Sequence, residues 1–444
     1  MTNPTLAPLT LGLAGYGTVG TGLARILHEN KANVMARTGR EIHIRTVLVR
    51  DTAKKRNYSL PEGATLTDDP DVLLNDPAIN VVVELMGGIE TPYALIERAL
   101  KAGKHVVTAN KALLAEAGAP LFALAAEKNL HLAFEASVCG GIPVVQTLRE
   151  GLVANHILAL VGILNGTSNY ILSEMSSKGL PYESVLRKAQ ELGYAEADPT
   201  LDVEGIDAAH KLALLIRLAW GHVVPFEEMP VQGVSQIQPK DIAFAREFGY
   251  HIKLVGSAKV ENGKLEAGVY PALVHQDFLL ARVNGAFNAI RIHGDAVGPL
   301  FLHGKGAGDL PTGSAVAADI FAIARNANPN NTGFSSSAGE AQLPMLPQSE
   351  TTSPYYIRLQ LPDSPGVLRD VAAIMAENDI SVAQAIQRGD ACDYDQSEAP
   401  ACVPFIIMTH EASTKSIEQA LRSLEERGLS KVKPVFYRVL EKER

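Results

Sequence analysis

Cysteine is scarce in this chain. Its three cysteines, Cys139, Cys392 and Cys402, form no CxxC pair. Their odd number argues against a disulfide framework and fits a reduced, cytoplasmic compartment. Long apolar runs are also missing: none approaches the roughly 20 residues a membrane span needs, so no membrane partner is expected. The first residues, MTNPTLAPLT, carry no positive n-region, so no signal peptide is expected. Positive charge is not in excess. The formal net charge is −9, which argues against a nucleic-acid partner.

What remains is an ordinary globular composition. Hydrophobic residues make up 46 % of 444, enough for two or three domains with full cores. Residues 10–150 alternate short apolar runs with helical patterns. Strands are expected at Leu11–Gly15, Ile42–Val49, Val81–Leu85, His105–Ala109 and His131–Glu135, with helices such as Pro92–Ala102 and Pro120–Lys128 between them. Such alternation predicts an α/β fold with a Rossmann-like parallel sheet over residues 1–150. Residues 151–325 mix helices (Tyr182–Leu192, Ile206–Trp220) with strand-like runs (Ile157–Leu164, Ile252–Val260, Leu265–Pro271), the pattern of an α+β domain. The polar, Pro/Gly/Ser/Asn-rich stretch 326–353 reads as a linker. Residues 354–444 follow a β-α-β-β-α-β order, predicting a small separate ferredoxin-like domain.

The first chemical motif is Gly15-Tyr16-Gly17-Thr18-Val19-Gly20, placed between a strand and a helix. That context turns a common pattern into a dinucleotide loop, with the exposed N–H groups of the helix start aimed at a pyrophosphate. The second strand ends at Arg50, with Lys54, Lys55 and Arg56 close behind and Asp51 one position late. An arginine there accommodates a 2′-phosphate, whereas an acid would bind the ribose 2′-OH. The pattern favours NADP, with NAD possible; a solvated basic loop is the competing reading.

Three further clusters carry chemistry. Asn110-Lys111 follows the fourth strand, at the sheet edge where ligands of such folds bind. In EASVCGGIP (135–143), two glycines and a proline force an irregular backbone, and Glu135 with free carbonyls is an oxygen set for a hard cation. Cys139 in the same stretch reads either as a small buried thiol or as a nucleophile. The span Ala189–Lys211 gathers Glu196, Asp198, Asp202, Glu204 and Asp207 ahead of Lys211. Asp207 and Lys211, four apart on a helix, share a face with Cβ atoms about 5–6 Å apart. Carboxylates in a Gly/Pro-shaped loop feeding one lysine fit a cationic, hydroxyl-bearing small molecule. An ordinary surface ion pair is the blander reading, contributing about 0–1 kcal/mol.

The same residues resemble the homoserine dehydrogenase family, in its monofunctional form with a C-terminal ACT domain, over essentially the whole chain. The family signature needs Ala, a Gly four later, Asp-Pro, then Asp, Gly, Asp and Lys in fixed register. Ala189, Gly193, Asp198-Pro199, Asp202, Gly205, Asp207 and Lys211 fill it. The segments GYGTVG, ANKALLA, EASVCGGIP and GILNGTSNYIL also look like family segments.

The resemblance implies reversible NAD(P)-dependent interconversion of L-homoserine and L-aspartate 4-semialdehyde, in the pathway to threonine, methionine and isoleucine. It makes 1–150 the NAD(P)-binding domain, 151–325 the substrate-binding, catalytic and oligomerisation domain, and 354–444 the ACT regulatory domain. It implies Lys211 as acid/base and Lys111 beside nicotinamide and substrate. Glu196, Asp202 and Asp207 would be substrate-side carboxylates, and Gly306 and Gly308 further cofactor contacts. Glu135 with the carbonyls of Val138, Gly140 and Ile142 would form a structural sodium site. It further implies a homodimer or homotetramer, and a threonine effector at the ACT turn Asp363-Ser364-Pro365-Gly366. The long acidic segment GDACDYDQSEAPAC bears on that effector's identity. Two other readings stay open at this point: a thiol-dependent semialdehyde dehydrogenase using Cys139, and a non-catalytic NADP and amino-acid sensor.

Overall fold

A computed structural model of the chain describes residues 6–56, 58–329, 331–334, 343–387, 402–430 and 432–440. The chain forms two compact bodies, and it passes between them several times. The first comprises Met1–Gly166, Ile206–Met229 and Ala286–Leu343; the second comprises Thr167–Gly205, Pro230–Gly285 and Pro344–Arg444.

The first body is built on six strands: β1 (Leu9–Ala14), β2 (Ile42–Leu48), β3 (Thr65–Thr67), β4 (Val81–Glu84), β5 (His105–Thr108) and β6 (Leu132–Ala133). They pair in parallel in the order β3-β2-β1-β4-β5-β6. Runs such as VVVE at β4 are buried at every residue, as strands covered on both faces must be. The expected strands sit within a residue or two of place, and β3 is an addition. Helix α1 (Thr18–Glu29) follows β1. Helix α2 (Lys111–Ala117) follows β5.

Helix α3 (Ile206–Trp220) buries all residues from Asp207 to Leu218. A helix apolar on nearly every side sinks into a core, and it carries Asp207, His210 and Lys211 in with it. Helix α4 (Asp309–Ala324) follows Gly306 and Gly308, the only residues of this stretch that the sequence singles out. It is a full helix whose Val316, Ile320 and Ile323 join Leu11, Leu13 and Leu23 in one core. Three antiparallel strands complete this body: β7 (Ile157–Ile163), β8 (Phe287–Gly294) and β9 (Gly298–Lys305), with β8 between the others.

In the second body, strands Tyr250–Glu261 and Lys264–His275 form a long hairpin. Its two-residue turn is Asn262-Gly263, both at positive φ, the geometry that Asn-Gly turns supply to twisted hairpins. Strand Lys264–His275 then pairs in parallel with Val435–Leu440. That strand continues through Tyr355–Pro362 and Cys402–Thr409 to Val382–Gln387. In chain order these last four run 4-1-3-2, the ferredoxin-like arrangement expected. One face packs on helices Val367–Glu377 and Thr414–Glu426 through Tyr355, Ile357, Ile374, Ile407 and Leu424.

This module is not separate, as the sequence suggested: the parallel pair ties it to the hairpin. On its other face, Arg358 Nε donates to Asp241 Oδ1 at 2.5 Å, with Asp241 fully buried. Part of the expected linker is also tied down. Leu265 N donates to Pro344 O and Leu346 N to Leu265 O, and Thr352–Ser353 pairs with Ala412–Ser413. Cys402 is disulfide-bonded, whereas Cys139 is free and buried. The acidic segment before Cys402 lies outside the described residues. Among the described residues no helix is long and apolar enough to cross a membrane.

Candidate active site

The strand order reverses direction between β1 and β4, so a crevice opens at their carboxyl ends. A cavity of about 1100 Å³ lies there, lined in part by Gly15, Tyr16, Gly17, Arg50, Met86 and Gly87. Gly15 has φ +103°, and a Cβ on it would fall 2.6 Å from Leu85 O. At Gly20 a Cβ would fall 2.4 Å from Gly15 O, while Gly17 has open space around it. The loop is therefore shaped by its outer glycines and left bare at its centre, where α1 begins with Thr18 and Val19. Arg50, Lys54 and Arg56 share the cavity wall with Asp51. The Asp51 carboxylate accepts from Ala53 N at 2.8 Å and Lys54 N at 3.2 Å. It closes its own turn.

Around Asp207 the first body collects charge. Lys211 Nζ lies 2.6 Å from Asp207 Oδ2 and donates to Leu164 O at 2.7 Å. Lys111 Nζ lies 3.0 Å from Asp207 Oδ1. Asn165 Nδ2 donates to Asp207 Oδ2 at 2.9 Å. Burial alone would raise the Asp207 carboxyl; the Lys211 and Lys111 ammoniums outweigh it and hold the group well below the usual carboxylate range. The carboxylate is thus ionised and shared by two amines. Lys111 is the first residue of α2, whose N-cap Asn110 accepts from Leu113 N and donates to Gly88 O. Asn110 N in turn donates to Thr108, whose hydroxyl donates to the buried Glu84 carboxylate at 2.6 Å.

Glu135 is also buried, its two oxygens accepting from Val145 N and Gln146 N. Burial pushes its carboxyl up to about 7, and the same cause raises Asp319, which accepts from Glu135 N, to about 7. Gly140, at φ +52°, lies so close to Gly306 that a Cβ would fall 2.4 Å from Gly306 O. Gly308 is the N-cap of α4. The Cys139 thiol is fully buried and pushed up to about 12 by that burial, so a thiolate nucleophile is not on offer at neutral pH.

Glu196 and Asp202 belong to the second body. There Glu196 is exposed, with its carbonyl accepting from Gln190 Nε2. Asp202 is half-buried, with its carbonyl accepting from Ser168 Oγ at 2.7 Å. Of the predicted residues, then, Lys111, Asp207 and Lys211 meet at one carboxylate, and Gly15, Tyr16, Gly17 and Arg50 share one cavity. Asn165 and Glu84 were missed. The Asn-Gly pair in GILNGTSNYIL was the only local signal for Asn165, and a strand-end acid in VVVE the only one for Glu84.

Comparison with known proteins identifies the family. The family model described as homoserine dehydrogenase matches residues 143–321, and its NAD-binding domain matches 15–135. An ACT domain model matches 355–428. The homoserine dehydrogenase of Neisseria gonorrhoeae is 42 % identical over 426 residues, covering 95 % of this chain and 96 % of that one. A crystal structure of a homoserine dehydrogenase from Thiobacillus denitrificans superposes with a TM-score of 0.91 at 41 % identity, covering 98 % of both chains. A hyperthermophilic archaeal homoserine dehydrogenase in complex with NADPH matches with a TM-score of 0.61 at 27 % identity, covering 73 % of this chain and all of that one. A nicotinamide-binding crevice, a lysine pair on one carboxylate and full-length kinship at this level lead to one statement: the chain belongs to the homoserine dehydrogenase family.

Proposed function

We propose that this oxidoreductase interconverts L-homoserine and L-aspartate 4-semialdehyde, with Lys211 exchanging the proton at the reacting oxygen and Lys111 orienting the substrate beside it. The observation that carries this is the Asp207 carboxylate held by both amines in a buried site. NAD(P) supplies the hydride donor or acceptor at its nicotinamide ring. Everything else falls to side chains. In the reductive direction the carbonyl carbon gains a hydride and its oxygen needs one proton, which Lys211 gives; in oxidation it takes that proton back. Asp207 fixes the amine's position, so proton transfer costs little reorganisation.

The cofactor is NADP. Arg50, Lys54 and Arg56 on the cavity wall offer cations to a 2′-phosphate. Asp51 closes its own turn instead of reaching toward a ribose hydroxyl. Gly15 to Gly20 hold the pyrophosphate, with Gly306 and Gly308 as further contacts. A sodium ion would be held by the buried Glu135 carboxylate, which burial raises to about 7 and a cation would favour, with the carbonyls of Val138, Gly140 and Ile142 as hard oxygen donors. An amino acid, threonine in this reading, binds at the ACT turn. There a cavity of about 180 Å³ is lined by Asp363, Ser364, Gly366, Gln387 and Phe405. The enzyme works as a homodimer or homotetramer in the cytoplasm.

The test is a spectrophotometric assay of nicotinamide reduction with L-homoserine and each cofactor in turn, with and without threonine. Turnover with homoserine and NADP⁺ is expected. Absence of homoserine-dependent turnover with either cofactor would overturn the assignment.

A further inference from the structure

Lys111 is a poor candidate to hold its place unaided. Its side chain is 38 % exposed. Fixing a lysine costs rotamer entropy, and its half-exposed amine must be held in line with the buried Asp207 carboxylate. Its helix, α2, has seven residues, too few to be stable alone. Leu113 and Leu114 bury its apolar side, and polar links to α3 set how its two ends are oriented.

The structure carries a second link between these helices. His210 lies three residues after Asp207 on α3, and so on the same face. Its Nε2 donates to Glu116 Oε1, near the far end of α2, at 2.8 Å. The carboxylate only accepts, so Nε2 carries the proton. The imidazole is buried, with 6 % side-chain exposure, and it stacks on Phe226 at a centroid distance of 4.6 Å and 26° between planes. Burial lowers the pKa of the imidazole, and Glu116 and Asp207 oppose that shift.

We propose that His210 is a positioning residue for the reaction: its bond to Glu116 is a second rung between α2 and α3 that keeps the Lys111 amine on Asp207. Lys111–Asp207 fixes one end of α2 and Glu116–His210 fixes the other. Without the second rung α2 can rock about its first turn, and Lys111 loses its partner geometry. This rests on the assignment of Lys111 and Lys211 above. His210 touches neither the reacting atoms nor the cofactor in this scheme; it acts through Lys111.

The test compares kcat and KM for homoserine oxidation across His210→Phe, His210→Gln, Lys111→Ala and the double variant Lys111→Ala/His210→Phe. Phenylalanine keeps the stack on Phe226 and removes the donor; glutamine keeps a neutral N–H donor. His210→Phe is expected to lose about tenfold or more in kcat, since small misplacements at a reacting centre cost up to about a hundredfold, with cofactor affinity unchanged. His210→Gln should stay within about threefold of wild type. In the Lys111→Ala background, His210→Phe should cost nothing further, because the group it positions is gone. Where His210→Phe fails to fold, Glu116→Ala at the more exposed end of the rung takes its place in the same comparison. Wild-type kcat in these variants, or an equal loss with and without Lys111, would overturn the proposal and leave the lysine assignment standing. A Lys111→Ala enzyme as active as wild type would instead remove the assignment beneath it.

Discussion

Asp207 answers to two ammonium groups and one amide at once, and that sharing explains why it stays ionised in a buried site. The Lys211 end of the cluster could be read from the chain, because an i, i+4 spacing on a helix is a local fact. Lys111 and Asn165 reach the same carboxylate from 96 and 42 positions away, counted as 207 − 111 and 207 − 165, and no local pattern encodes such a meeting. Lys211→Ala is expected to lower turnover by about 10²-fold or more while leaving nicotinamide-cofactor affinity intact; steady-state kinetics with a fluorescence titration of the cofactor would check both halves.

A different lysine sets a pH dependence. Lys253 is buried, and among the described residues its Nζ donates to neutral acceptors: Val283 O at 2.5 Å, and Asn169 Oδ1 and Asn284 Oδ1 at 3.2 Å. Burial lowers its pKa to about 8. The unfolded chain has its lysine near 10.4, so between these values the unfolded state binds more protons and stability rises with pH. The cost of the buried charge is fully present below about 8 and is relieved toward pH 10, by up to about 3 kcal/mol. Denaturant unfolding at both pH values should show wild type gaining on Lys253→Met as pH rises. A constant gap between the two proteins would show that the ammonium is not strained by its burial.

At the scale of elements, regular segments were legible where apolar runs were continuous, as in β1, β4 and α3. The chain's returns were not. Helix α4 closes the first body's core although it begins 295 positions after the end of β1, counted as 309 − 14, and its Gly/Ala-rich start, GAGDLPTGSAV, looks like loop from the sequence alone. The same return brings Gly306 against Asn288, where a Cβ would fall 1.2 Å from Oδ1. The Asn288 amide donates to Ile163 O at 2.8 Å, so it cannot swing aside without giving up that bond. Gly306→Ala should therefore cost about 1–3 kcal/mol, read as a lowered melting temperature. Combining it with Asn288→Ala should cost clearly less than the two single losses added together, since the second change makes room for the first. Simple additivity would mean the clash is relieved elsewhere.

Over the whole second body, the ferredoxin-like module reads as an appendage in the sequence because its β-α-β-β-α-β order is self-contained and the stretch before it is polar. The pairing that joins it is invisible at that level: Arg438, Val439 and Leu440 lie beside Ala272, Leu273 and Val274, and strand partners across the sheet leave no local trace. Two buried polar links reinforce the join. Arg438 Nη1 donates to Glu266 Oε1 at 3.0 Å, and Arg358 neutralises Asp241, which is wholly buried. Removing residues 354–444 would leave the edge of Lys264–His275 unpaired and Asp241 without its cation. An open apolar edge invites association, and an orphaned buried charge costs about 3–5 kcal/mol. The truncated chain is therefore expected to aggregate or melt well below the full-length protein, rather than to behave as an active enzyme freed from regulation. Size-exclusion chromatography and thermal unfolding of the chain ended at Ser353 test this, and a monodisperse, equally stable and fully active product would mean that the parallel pair contributes little to holding this body together.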